Sequence, residues 1–189
     1  MRELSTSLST ELRARADRYF ERYAYPDWLR EHSRVVGAVA VALVSARLAA
    51  GEDLDAESTV LAGFLHDIGR SPLLAGEARE HNELSGLILA AEGLGECVEL
   101  ARRHPVYAVL DPATAPRTLA EKIVFIADRR GGMRVQSLEE RANDTAARHP
   151  KYAAEIARAI PIAKEVEREV FRGIAFGIDE LAAQVDLAS

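Results

Sequence analysis

The run Ala62-Gly63-Phe64-Leu65-His66-Asp67-Ile68-Gly69-Arg70 puts two adjacent side chains with metal-binding lone pairs at the end of an apolar stretch that meets a glycine. Burying an unpartnered Asp beside Leu65 and Ile68 would cost roughly several kcal/mol, whereas a divalent cation is a partner that both imidazole and carboxylate accept. The chemistry implied is metal binding.

Other polar residues fall on apolar helix faces. The neighbours of His32 at helical spacing are Trp28, Val35, Val36, Val39 and Leu43, all apolar, so His32 is expected to point into the core. Asp128 shares a face with Val124 and Phe125. An ion pair with Arg129 or Arg130 is the plainer account of that acid, but neighbours at i+1 and i+2 do not share a helix face, which favours Asp128 as a ligand. His81 begins a helix, and His104 ends one with Leu100 and Ala101 behind it. Each is a ligand candidate, although taken alone either reads first as a surface or capping histidine, since helix ends often carry one. His149, in Arg148-His149-Pro150, has no inward-facing context and reads as surface.

The elements that must hold these residues are helices. Strand-period alternation is nearly absent, and apolar residues recur at helical spacing along most of the chain, which predicts an all-α protein. Residues 7 to 23 form an amphipathic helix, and Pro26 opens a second that runs to about Ala50. A third spans about Ala56 to Ile68, capped by Asp55 and stopped by Gly69. Arg70 to Glu80 is a loop, and helices follow at about 82 to 92 and 95 to 104. After breaks at Pro105 and Asp111 to Pro116, a strong helix runs from Thr118 to Arg130. The last third reads as a short helix to about Ala147 and then one or two long helices interrupted at Pro161.

Composition bounds the rest. A chain of 189 residues, 48% hydrophobic, can bury one sizeable core and shows no linker or repeat, so a single domain over 1–189 is expected. One cysteine, Cys97, allows no intrachain disulfide and reads as core filler, so a reducing cytoplasm is the default. No signal pattern is visible, and no uninterrupted apolar run approaches the roughly 20 residues of a membrane span. A net charge of -6 argues against binding nucleic-acid polymers but allows a small phosphorylated substrate in a local basic pocket.

The ordered series His32, His66-Asp67, His81, His104 and Asp128 on an all-α chain resembles the HD-domain metal-dependent phosphohydrolase superfamily, and His66-Asp67-Ile68-Gly69 spells its common HDIG variant. The resemblance covers about residues 25 to 130, leaving about 137 to 189 as a C-terminal helical extension. The stretch Thr118 to Asp128 is similar to the last-ligand helix of small stand-alone HDIG-type members. The chain also resembles small bacterial HD hydrolases that split diadenosine tetraphosphate, but it departs from them at His104-Pro105-Val106-Tyr107, where they carry a threonine-rich turn. The signature of the HD-GYP phosphodiesterases is absent.

The resemblance implies a helical bundle in which His32, His66, Asp67 and Asp128 hold one divalent ion, with His81 and His104 available for a second bridged by Asp67. Mn, Fe, Co, Ni and Mg all suit such a ligand set. The implied activity is hydrolysis of a phosphoester or phosphoanhydride of a nucleotide or related small molecule by a metal-activated water, with Asp67 and His66 at the reaction centre. The alternative is a nucleotide-binding regulatory module with little turnover. Arg70, just past the turn, is the first choice for a substrate phosphate, and Lys122 the second, although it lies about 120° around the helix from Asp128. Arg79 and Arg103 are further candidates that read equally well as solvated surface. Val170, Phe171, Ile174 and Phe176 could pack within the chain or form a homodimer face.

Overall fold

The computed structural model describes residues 6–187. The protein is all-α, with no strand among the described residues. In chain order the α-helices are α1 (Thr6–Arg22), α2 (Asp27–Ala49), α3 (Ala56–Leu65), α4 (His81–Ala91), α5 (Val98–Arg102), α6 (Leu119–Arg130), α7 (Leu138–Arg148), α8 (Ala153–Phe171) and α9 (Leu181–Gln184). Short 3-10 turns fill several connections, including Ile68–Arg70 after α3 and Val106–Leu110 after α5.

α2 and α3 form the centre, with α6 packed on both and α1 and α5 against α3. Small residues set that approach. Phe64 of α3 lies where a side chain at Gly37 of α2 would begin, 2.1 Å from an ideal Cβ, so the glycine lets the helices close around the ring. α2 is long and apolar enough on average to cross a membrane, which the sequence reading missed because charged residues interrupt its apolar run. Most of its apolar stretch is buried against neighbouring helices, as in the core helix of a globular protein.

Capping fixes where the site helices begin. Ser58 N–H donates to Asp55 Oδ1, so α3 starts as expected, and Thr118 with Glu121 forms a capping box at α6. α3 ends at Leu65, earlier than expected, and tightens through His66 and Asp67 into the 3-10 turn.

α8 runs unbroken through Pro161, contrary to the interruption expected there. The ring removes one N–H from the helix, but Ile156, Ala159, Ala163, Val166 and Val170 continue one buried stripe across it. Packing of that stripe against the core outweighs the lost bond. Val170 and Phe171 are buried, Ile174 and Phe176 pack partly buried on the same core, and the two phenylalanine rings meet edge to face. These apolar residues are thus used within the chain. α8 is further tied to α6 by a buried ion pair, Arg130 Nη1 to Glu167 Oε1 at 2.6 Å, while Arg130 also donates to the carbonyls of Gln136 and Ile178.

Candidate metal centre

His32, His66, Asp67, His81, His104 and Asp128 converge, although they come from α2, the α3 turn, α4, the end of α5 and α6. All are buried except His81, which is partly exposed. His32 Nε2 and His66 Nε2 are 3.3 Å apart. Asp128 Oδ1 lies 3.4 Å from the first and 3.8 Å from the second, and Asp67 Oδ2 lies 3.8 and 3.7 Å from them. On the other side, Asp67 Oδ1 lies 3.5 Å from His81 Nε2 and 3.3 Å from His104 Nε2, which are 3.2 Å from each other. Asp67 therefore presents one oxygen to each group.

The backbone decides which histidine nitrogens carry lone pairs. His66 Nδ1 lies 2.9 Å from the Gly63 carbonyl and His104 Nδ1 2.6 Å from that of Ala101. A carbonyl only accepts, so both Nδ1 atoms donate and both Nε2 atoms are bare. His32 Nδ1 makes a longer contact of 3.4 Å with the Gly132 carbonyl, with the same consequence. In the neutral rings, His32 and His66 thus face each other with two acceptors and no proton between them. Burial also lowers the His66 pKa to about 4, against smaller upward pulls from Asp67 and Asp128, so the ring stays neutral near pH 7. His81 is likewise pushed down to about 3 by burial, with Arg70 and His104 adding to it.

The donor set fits a divalent ion. Atoms each about 2.1 Å from a common ion lie about 3.0–3.4 Å apart at octahedral or tetrahedral angles, close to the separations here. Two overlapping triads, His32 with His66 and Asp128, and His66 with Asp67 and His104, are compact enough to hold one. Asp67 Oδ1 is buried and accepts no hydrogen bond, the orphaned acceptor a cation would satisfy. Nδ1–H bonds to backbone carbonyls are also how ligating histidines are held in orientation.

Gly69 explains the fourth letter of the HDIG run. An ideal Cβ there would meet the His81 carbonyl oxygen at 2.0 Å and Ser85 N at 2.7 Å, so only glycine lets α4 begin directly on the turn. Gly69 N–H donates to Ser85 Oγ at 2.9 Å, and this contact brings His81 to Asp67.

Arginines surround the two acids. Arg70 Nε lies 2.8 Å from Asp67 Oδ2, and its Nη2 lies 2.9 Å from His81 Nε2, which must accept. Burial raises the pKa of Asp67, but the Arg70 guanidinium outweighs it and holds the carboxyl well below the usual range. At Asp128 burial is likewise outweighed, chiefly by the Arg129 guanidinium beside it. Arg129 Nη2 bonds directly to Asp128 Oδ2, contrary to the helix-face expectation, because the long side chain folds back over its own neighbour. Arg141 of α7 adds a second cation, 3.6 Å from Asp128 Oδ1. The sequence offered Arg129 as an ion-pair partner of Asp128, set aside on helix geometry, whereas Arg141 carries no local signal.

Lys122 lies away from the cluster. Its Nζ pairs with Glu169 of α8 at 2.5 Å, as the angle from Asp128 requires. Arg79 pairs with Glu77, and Arg103 with Glu99 and the carbonyls of Ala113 and Ala115, so both are used locally. Trp28 is 51% exposed rather than inward, because the buried stripe of α2 passes through Leu29, His32 and Val36 and leaves Trp28 at its edge. Cys97 is buried in the core and His149 is exposed.

An all-α bundle whose buried histidines and aspartates can hold a divalent ion is the class that fold and site define. The family model described as "HD domain" matches residues 35–133, just over half of the chain, and the protein belongs to the HD-domain family. The match contains His66, Asp67, His81, His104 and Asp128 and begins three residues after His32, which the geometry adds. No curated protein and no solved structure matches the chain.

Proposed function

We propose that the protein is a metal-dependent phosphohydrolase that cleaves a phosphoester or phosphoanhydride of a nucleotide or related small molecule. The observation that carries this reading is the opposition of the bare His32 and His66 Nε2 atoms at 3.3 Å beside the oxygens of Asp67 and Asp128. Four donors that repel one another unless a cation lies among them are a costly arrangement to bury. The divided oxygens of Asp67 support a second ion held with His81 and His104.

A bound divalent ion would supply a polarised water and charge neutralisation at a phosphoryl group. The chain supplies the rest. His66 and His104 are held rigid by their backbone acceptors, and Asp67 and Asp128 stay ionised. Arg70, with 41% of its side chain exposed, can turn from Asp67 toward a substrate phosphate. A small substrate rather than a nucleic-acid polymer suits the net charge of -6, and a reducing cytoplasm suits the single buried thiol.

The test is metal-loaded protein against a panel of mono-, di- and cyclic nucleotides and aryl phosphates. Turnover dependent on Mn or Ni and abolished by His66→Ala is the expected result. Tight nucleotide binding without hydrolysis would instead favour a regulatory module.

A further inference from the structure

The histidines of the centre are not all held in the same way. His66 and His104 are each fixed at Nδ1 by a backbone carbonyl, of Gly63 and Ala101. His81 has no such hold. Its Nε2 meets Arg70 and His104, and among the described residues no acceptor holds its Nδ1. With its side chain 17% exposed it is also the least enclosed of the four histidines, so its position depends on the backbone of α4.

Asn82, the next residue, holds that backbone. Its Nδ2 donates to the Arg102 carbonyl at 2.9 Å. Arg102 ends α5, a five-residue helix whose last carbonyls have no partner within the helix. Two consecutive ones are capped by side chains, Ala101 by the His104 ring and Arg102 by the Asn82 amide. The end of one short helix is thus closed by a ligand histidine and by the neighbour of another. A shift of α4 against α5 large enough to separate His81 from His104 would break the Asn82 bond. The Asn82 Oδ1 atom is buried without a partner, a cost that an apolar residue would avoid, so the donor bond is what the amide adds there.

Gly86, one turn further along α4, lets the two helices close. An ideal Cβ there would meet Arg102 Nε at 2.4 Å and its Cγ at 2.9 Å, so the Arg102 side chain crosses α4 at the glycine. Arg102 therefore meets α4 at two successive turns, through its side chain at Gly86 and its carbonyl at Asn82. Ser85 ties the same helix to Gly69 and so sets His81 against Asp67, whereas Asn82 sets it against His104.

We propose that Asn82 is the positioning residue of the second ion: by capping α5 it sets the separation of His81 and His104, and with it the affinity of the subsite they share with Asp67. The first ion, on His32, His66, Asp67 and Asp128, takes no ligand from α4 or α5 and does not depend on it. This rests on the two-ion form of the reading above, not on the reaction that the ions serve.

The test uses full-length, chelator-stripped protein titrated with Mn and read by calorimetry and electron paramagnetic resonance. The wild type should take up two ions, the second bringing the exchange-coupled signal of a carboxylate-bridged Mn pair. In Asn82→Ala the second ion should bind about tenfold more weakly and the coupled signal should fade at equal Mn, with first-ion affinity unchanged. Gly86→Ala, which pushes Arg102 from α4, should show the same selective loss. Adding Arg102→Ala to it should restore the second ion, because the carbonyl that Asn82 caps belongs to the backbone. The Gly86 variants decide the matter if Asn82→Ala fails to fold. A wild type that holds one ion only, an Asn82→Ala protein that binds both ions as the wild type does, equal loss at both ions, or a Gly86→Ala defect that Arg102→Ala leaves in place would each overturn the assignment. Selective loss of the second ion in a protein that hydrolyses no phosphate ester would uphold it and remove the hydrolase reading.

Discussion

Asp67 Oδ2 accepts a hydrogen bond from Arg70 Nε at 2.8 Å across the turn that ends α3, so one carboxylate serves both a guanidinium and the facing histidines. Without a metal, Arg70 is the main counter-charge of a buried acid. Arg70→Ala should therefore destabilise chelator-treated protein by about 1–3 kcal/mol, less than for a fully buried pair because Arg70 is partly exposed. With saturating Mn the difference should shrink, because the ion takes over the same oxygen. Thermal melts of wild type and variant with EDTA and with Mn measure both; an equal loss in the two conditions would contradict this.

The buried histidines set an acid limit. His66 and His81 have folded pKa values lowered to about 4 and 3, against about 6.5 when unfolded, so below pH 6.5 the unfolded chain binds protons that the native site refuses. The stability of metal-free protein should fall between pH 6.5 and 4, by up to roughly 1.4 kcal/mol per pH unit for each ring. Asp67 and Asp128, held below the usual carboxylate range, extend the loss below about pH 4. Urea melts across that range report it, and a flat midpoint from pH 7 to 5 would contradict it.

Gly69→Ala would drive a methyl into the His81 carbonyl at 2.0 Å and move α4 off the turn. A cost of about 1–3 kcal/mol and weaker binding of any ion held by His81 are expected. Gly95→Ala, where an added Cβ meets nothing within 4 Å, is the control and should change stability by less than about 0.5 kcal/mol. Equal melting temperatures for the two variants would show that close approach at Gly69 is not what the turn requires.

Arg130 couples the C-terminal extension to the helix that carries Asp128. Arg130→Met should cost about 3–5 kcal/mol by stranding Glu167, whose pKa burial already raises against the pull of Arg130. Restoration of stability by adding Glu167→Leu would identify the stranded charge as the cause. A single variant with wild-type stability would exclude the pair as a structural tie.

The residues that periodicity turns inward were legible in the sequence. His32 and Asp128 sit mid-helix among apolar neighbours, where side-chain direction follows from spacing alone. Trp28 failed the same rule because the spacings i-4 and i-3 both read as inward, and the buried stripe of α2 takes Leu29 rather than Trp28. Arg129 and Lys122 show a different limit. Spacing fixes where a Cβ points but not where a four-bond side chain ends, and Arg129 folds onto its neighbour while Lys122 reaches α8. Pro161 gave a true local signal that tertiary packing overrode. Arg141 was invisible because its role depends on how α7 returns to α6 after Gly131 and Gly132, a path that local sequence does not encode.

The central claim is that these histidines and aspartates form one metal centre, and stoichiometric metal binding tests it most directly. Calorimetric titration of chelator-stripped protein with Mn should give one or two ions per chain for wild type and at least about tenfold weaker binding for Asp128→Ala and His66→Ala. Wild-type protein that takes up no Mn, Ni, Co, Fe or Mg, or variants that bind as the wild type does, would contradict it.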